Sequence, residues 1–236
     1  MSEKLVCYKR SMKIKFSPSV LLTWISLLLL PVVVRAADLP QQAQLQFVDS
    51  YGLPVSMDFV QKGNQYRINT QINVIFYQMQ FVSAGTVNGS GLNPLSYVDS
   101  RFGKPYAQAR FTVQGVDYGK ISEASKHMVV NGPVYDMFTL GWQLGFNHGK
   151  LPANIYLTNG KKVYPLDTVR SLGNTQLVIN GQQIDISQYS ISRGDDVVEY
   201  AFAPQFGNVP VRISYMDNGK AYTLQLKGGQ IDGKAI

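Results

Sequence analysis

The sequence predicts an all-β, mainly antiparallel fold: a curved sheet or half-open barrel with one helix packed across it. Three observations carry that expectation. Apolar and polar residues alternate with period two from Tyr66 to Val74. Asn-Gly pairs recur between strand-like segments, and one stretch near the middle switches to helical periodicity.

The first element in the chain reads as a leader. Lys4, Lys9, Arg10, Lys13 and Lys15 precede an apolar run from Val20 to Val34, and Arg35-Ala36-Ala37 follows. A basic lead, an apolar middle and small residues at a cut are the three parts of a secretory signal. That run of 15 residues, interrupted only by Thr23, Ser26 and Pro31, rises about 1.5 Å per residue and reaches roughly 22 Å, short of the ~30 Å hydrocarbon core of a bilayer. The expectation is a signal peptide over residues 1–36, cleaved near Ala36, with Met12 as an alternative start. The product is then periplasmic and not an integral membrane protein.

Removing the leader changes the charge. Residues 1–36 hold six of the 22 Lys and Arg and one of the 15 acids, leaving 16 basic against 14 acidic residues, net +2. An even mix of signs makes no phosphate-tracking stripe, so no nucleic-acid partner is expected. The single cysteine, Cys7, leaves with the leader. Disulfides and thiol catalysis leave with it.

The remainder reads as one β-rich domain over 37–226, with a flexible tail from 227 to 236. Along residues 66–74, Tyr66, Ile68, Thr70, Ile72 and Val74 share one face and polar residues the other. Asn-Gly pairs stand at 88–89, 131–132, 159–160, 180–181 and 218–219. This dipeptide accepts the positive φ that tight hairpins need. Three of them separate good strand candidates: 155–158 from 161–166, 176–179 from 183–186, and 211–215 from 222–226. Hairpins at this density imply a meander.

The helical stretch runs from Pro133 to Gly145. Pro133 suits a first helical position and Asp136 a first turn, where negative charge favours the dipole. Val134, Met137, Phe138, Gly141 and Trp142 fall on one stripe. Gly145 is expected to close the helix in the left-handed region, and Gly141 to permit close packing on the sheet. Trp142 should be buried there.

The search for chemistry yields no catalytic residues, no metal ligands and no cofactor motif. His127 and His148 lack metal-ligand spacing, and Asn88-Gly89-Ser90-Gly91 lacks the frame of a nucleophile elbow. Asp195, Asp196 and Glu199, beside Arg193, read as a wet hairpin turn. The aromatic content points elsewhere. A half-open barrel lined by Phe76, Phe81, Tyr97 and Trp142 would suit an apolar or amphiphilic ligand. Arg212, alternating with Val211 and Ile213, is a candidate contact for an anionic headgroup or simply a surface charge.

Several stretches also carry a resemblance. They are Phe81-Val82-Ser83-Ala84-Gly85-Thr86-Val87, Gly91-Leu92-Asn93-Pro94-Leu95-Ser96-Tyr97 and Asp136-Met137-Phe138-Thr139-Leu140-Gly141-Trp142. Glu199-Tyr200-Ala201-Phe202-Ala203-Pro204, Val209-Pro210-Val211-Arg212-Ile213 and Asp217-Asn218-Gly219 complete the set. From about Val55 to Leu226 the chain resembles the bacterial exported family called domain of unknown function 3108. The resemblance implies a periplasmic half-barrel similar in outline to lipoprotein carriers, with no catalytic residues to carry over. Pro210 is expected to begin an edge strand.

Three functions follow as expectations. The first is a non-catalytic envelope protein that binds an apolar or amphiphilic ligand in its curved sheet. The second is a periplasmic interaction or assembly module that meets another envelope protein. The third is an enzyme built on carboxylates that the fold brings together.

Overall fold

Strand-forming segments and two-residue turns alternate so regularly that the chain folds as a meander. The computed structural model describes residues 39–236, apart from residues 75, 76, 90, 195 and 218. The first eight strands are β1 (Gln42–Asp49), β2 (Pro54–Lys62), β3 (Gln65–Val74) and β4 (Tyr77–Asn88), then β5 (Gly91–Arg101), β6 (Lys104–Thr112), β7 (Gly115–Lys120) and β8 (Lys126–Met128). Each pairs antiparallel with the next.

A second meander follows the helix: β12 (Arg170–Ile179), β13 (Gln182–Arg193), β14 (Asp196–Ala203), β15 (Val209–Asp217) and β16 (Lys220–Ile231). Strand β16 returns to pair with β1, so both meanders belong to one sheet. Its order is β12-β13-β14-β15-β16-β1-β2-β3-β4-β5-β6-β7-β8. The sheet curves without closing; β12 and β8 are its two edges.

Two of the three Asn-Gly pairs assigned to hairpins occupy them, 159–160 between the strands Tyr156–Thr158 and Val163–Pro165 and 180–181 between β12 and β13, while Asn218 of the third lies outside the described residues. Asn180-Gly181 joins β12 to β13 with φ of 50° and 78°, the pair of positive values a tight hairpin requires. Alternation in β3 is as read: Tyr66, Ile68 and Thr70 are buried while Arg67 faces out.

Between the meanders lie β9 (Val134–Asp136), the helix (Met137–Phe146), β10 (Tyr156–Thr158) and β11 (Val163–Pro165). Strands β9, β10 and β11 form a separate small sheet in which β9 and β10 run parallel. The helix therefore starts later than Pro133. Val134 and Tyr135 stay extended because β10 pairs with them, and Asp136 becomes the cap rather than a first-turn residue. Its end also differs. Gly145 is helical, Asn147 caps, and His148 and Gly149 take the positive φ values of 49° and 80°.

The helix is not amphipathic in its setting. Phe138 through Gly145 are all buried, because β3, β5 and β15 of the large sheet and β9 and β10 of the small one all pack against it. Trp142 stacks on Phe59 with ring centroids 4.4 Å apart. Tyr200 donates its hydroxyl to the Met137 carbonyl at 2.9 Å. Gly141 and Gly145 let the helix press on the second meander. A Cβ at 141 would stand 2.9 Å from the Tyr200 ring, and one at 145 would stand 2.2 Å from the Asn208 carbonyl oxygen.

Two further expectations need correction. Residues 227–236 are not a frayed tail: β16 continues to Ile231 beside β1, and β17 (Lys234–Ala235) folds back onto it. Pro210 lies in an interior strand. It is tolerated because β15 pairs with β16 only from Arg212 onward, leaving no partner for the missing N–H, and because a bulge adjoins it in the β14 pairing.

Candidate interaction edge

The aromatic residues singled out from sequence do not gather around one chamber. Trp142 is 1% exposed at the centre of the main core. Tyr97 is buried in a smaller cluster with Ala109, Val116 and Val134. Phe81 bridges the two, packing on Phe138 at 5.4 Å between ring centroids. Arg212 is half-buried on the opposite face from Val211 and Ile213, both fully buried. Phe76 lies outside the described residues. The helix thus occupies the concavity that a ligand would have needed.

The buried acids are committed to structure. Asp136 Oδ1 accepts hydrogen bonds from the Phe138 and Thr139 amides at 3.0 and 3.1 Å, and Oδ2 accepts one from the Thr139 hydroxyl at 2.6 Å. These satisfy two of the orphan donors of the helix start. Burial raises the Asp136 carboxyl above its ordinary value, against the hydrogen bonds from Thr139 and Phe138 that lower it. Asp99 is held by Arg101, whose Nη2 donates to Oδ2 at 2.9 Å. Neither carboxylate faces an open cleft from which it could reach a substrate.

His127, His148 and Asp196 have local partners. His127 pairs with Asp117 at 2.7 Å on the surface, and His148 stands 3.4 Å from the Asn208 amide. Asp196 binds Arg193 across the β13–β14 turn at 2.7 Å, as a solvated turn would, while Asp195 lies outside the described residues. Among the described residues, no three His, Cys, Asp or Glu side chains converge as a metal site would require. No helix among them is long and apolar enough to cross a membrane.

What remains open is a strand edge. β12 pairs with β13 on one side and, among the described residues, with no strand on the other. An unpaired edge exposes a row of N–H and C=O groups ready to bond another strand. Natural edges are blunted with charges, prolines or short length, yet Arg170 is the sole charged residue of β12 and proline is missing from it. Leu172 and Val178 are 49% and 55% exposed. A bulge at Gly173 is the one protective device present.

Beside this edge runs an open groove of about 320 Å³. It is bounded by Asn174, Thr175 and Gln176 of β12, Asp185, Ile186 and Ser187 of β13, and Pro204. Polar residues outnumber apolar ones around it, yet more of the surface they expose to the groove is apolar than polar. A second, smaller hollow of about 160 Å³ lies near Pro94, Phe111 and Pro133.

Sequence reasoning missed β12 as a site because no local signal marks it as an edge. A ten-residue run with one charge and alternating Leu172, Asn174, Gln176 and Val178 is ordinary for an interior strand. Only topology reveals that it is an edge. No known family model matches the chain, and no curated protein matches it either.

Proposed function

We propose that this chain is an exported envelope protein that engages an extended, uncharged segment of a partner protein by adding it as a strand to β12. Main-chain hydrogen bonds along the edge would supply affinity, and the adjoining groove would select side chains of the added strand. The observation that carries the reading is the unpaired ten-residue edge with a single charge. The leader at residues 1–36 supports the compartment. A carrier of apolar ligands draws less from this geometry, because the helix is buried against the large sheet and the groove by β12 is open rather than enclosed.

The test is site-specific photo-crosslinking in exporting cells. A photoreactive side chain at Leu172 or Val178 should give a discrete protein adduct, and one at Lys126 on the opposite edge should not. An adduct of twice the chain's mass identifies a second copy as the added strand. No adduct from β12, or equal adducts from both edges, defeats the proposal.

A further inference from the structure

One rim of the sheet carries a separate feature. Phe102-Gly103 joins β5 to β6 as a two-residue turn with φ of 50° and 73°, nearly the values at Asn180-Gly181. The left-handed region is unfavourable for a bulky side chain, and Asn is the residue that suits it. Phe102 nevertheless occupies it with its ring 60% exposed. A strained residue that contributes nothing to the core points to a use for its side chain outside the fold.

Its neighbours extend the feature. Tyr77 meets the Phe102 ring edge-on at 4.9 Å, and the Phe102 amide bonds the Gln78 carbonyl. The Arg101 guanidinium sits 5.7 Å from the Tyr77 ring centre and 5.6 Å from that of Tyr106. Ile121, also exposed, donates its amide to the Tyr106 carbonyl. The apolar side chains here stand at strand ends and a hairpin tip rather than on a flat face.

Charge on this rim is one-sided. Asp99 is taken by Arg101 and Glu123 by Lys120. Lys104 is exposed, Lys161 lies 6.0 Å from the Tyr106 ring centre, and neither meets a carboxylate among the described residues. Aromatic tips flanked by unpaired lysines match the two layers of a bilayer surface: acyl boundary for the rings and anionic headgroups for the cations.

We propose that this rim, with Phe102 at its tip, docks on an anionic phospholipid surface. The proposal is independent of the β12 edge. The probe is vesicles of phosphatidylcholine with and without phosphatidylglycerol. Three variants report on it: Phe102→Asn, Lys104→Glu with Lys161→Glu, and Phe102→Trp.

Burying most of one aromatic ring and reversing two charges set the scale. Phe102→Asn should weaken binding to anionic vesicles about fivefold while the protein stays folded by circular dichroism. The double reversal should weaken it tenfold or more. In Phe102→Trp, the emission gained over the wild type should shift to the blue with anionic vesicles and not with neutral ones. Because the emission reads residue 102 itself, an apolar leader cannot mimic it. An unshifted spectrum, or Phe102→Asn binding as the wild type does, overturns the proposal.

Discussion

The helix seat and the β12 edge are built from the same sheet and are opposite in kind. In the seat every side of Phe138–Gly145 is covered, two glycines set the approach distance, and Asp136 satisfies the helix start. Along β12, seven consecutive residues are exposed and the outer row of backbone groups has no strand partner among the described residues. The other edge shows that this openness is not forced by the topology. β8 is only three residues long, includes Lys126, and carries His127 in a pair with Asp117. One edge is blunted, one is left available, and the interior is closed. Stability resides in the seat, and the capacity to bind resides where the sheet was left unfinished.

The sharpest way to test that division is to damage the seat. Trp142→Ala removes the largest fully buried side chain and its stacking on Phe59, and should cost about 3–5 kcal/mol. Gly145→Ala adds a single methyl, yet that methyl meets the Asn208 backbone oxygen, which cannot rotate away. The loss should be about 3 kcal/mol. At Gly141 the obstacle is the Tyr200 ring, and the better helix propensity of Ala offsets part of the strain, so Gly141→Ala should cost less. Urea midpoints by tryptophan fluorescence, or by circular dichroism for Trp142→Ala, decide the order.

Asp136 tests the seat electrostatically. Asp136→Ala loses the cap and strands the Thr139 hydroxyl, and should cost about 2–3 kcal/mol. The pH dependence has a definite sign. Burial raises the folded carboxyl above its ordinary 3.8, so the folded state holds the proton to higher pH than the unfolded chain. The stability it contributes is full below pH 3.8 and declines as pH rises through the folded value. Asp136→Asn keeps a capping oxygen and has no proton to lose. The stability difference between wild type and Asp136→Asn should therefore move against the wild type between pH 4 and pH 7; a constant difference would show that the carboxyl titrates normally.

How much of this was legible beforehand follows from the range of each signal. Alternation in β3 and the turn at Asn180-Gly181 are local, and both were readable from residues a few positions apart. The helix start was misplaced because Pro133 and Val134 suit a strand as well as a first turn, and the pairing of β9 with β10 spans over twenty residues. Arg212 was correctly turned away from Val211 and Ile213 by alternation alone. The closed interior and the open β12 were not legible, since both depend on where the two meanders meet: at the pairing of β1 with β16, almost the full described length apart. Local chemistry encodes elements; only the long-range pairing decides which strand becomes an edge.

A smaller effect compares two turns of like backbone. Asn180-Gly181 has the residues its φ values demand, and Phe102-Gly103 does not. Phe102→Asn should raise stability by about 1 kcal/mol, the scale of a left-handed residue relieved of its bulk. Asn180→Phe should lower it by a similar amount. A loss from Phe102→Asn would mean that the ring supports the core through Tyr77, and thermal melts of the two variants measured together separate the cases.

The smallest expected change in stability belongs to β12 itself. Leu172→Lys with Val178→Lys places two charges on half-exposed positions of an unpaired edge, where nothing is desolvated and no partner is lost. Stability should shift by no more than about 0.5 kcal/mol. The contrasting substitution is Ile184→Lys on the adjacent β13, whose side chain is 2% exposed in the core; burying that ammonium should unfold the domain. If the edge pair is neutral for stability and abolishes the photo-crosslink made from a β12 position such as Thr175, then β12 is available for binding and dispensable for folding. If the edge pair destabilises as the core substitution does, β12 is part of the structure after all, and the contrast between the sheet's sealed face and its open margin does not hold.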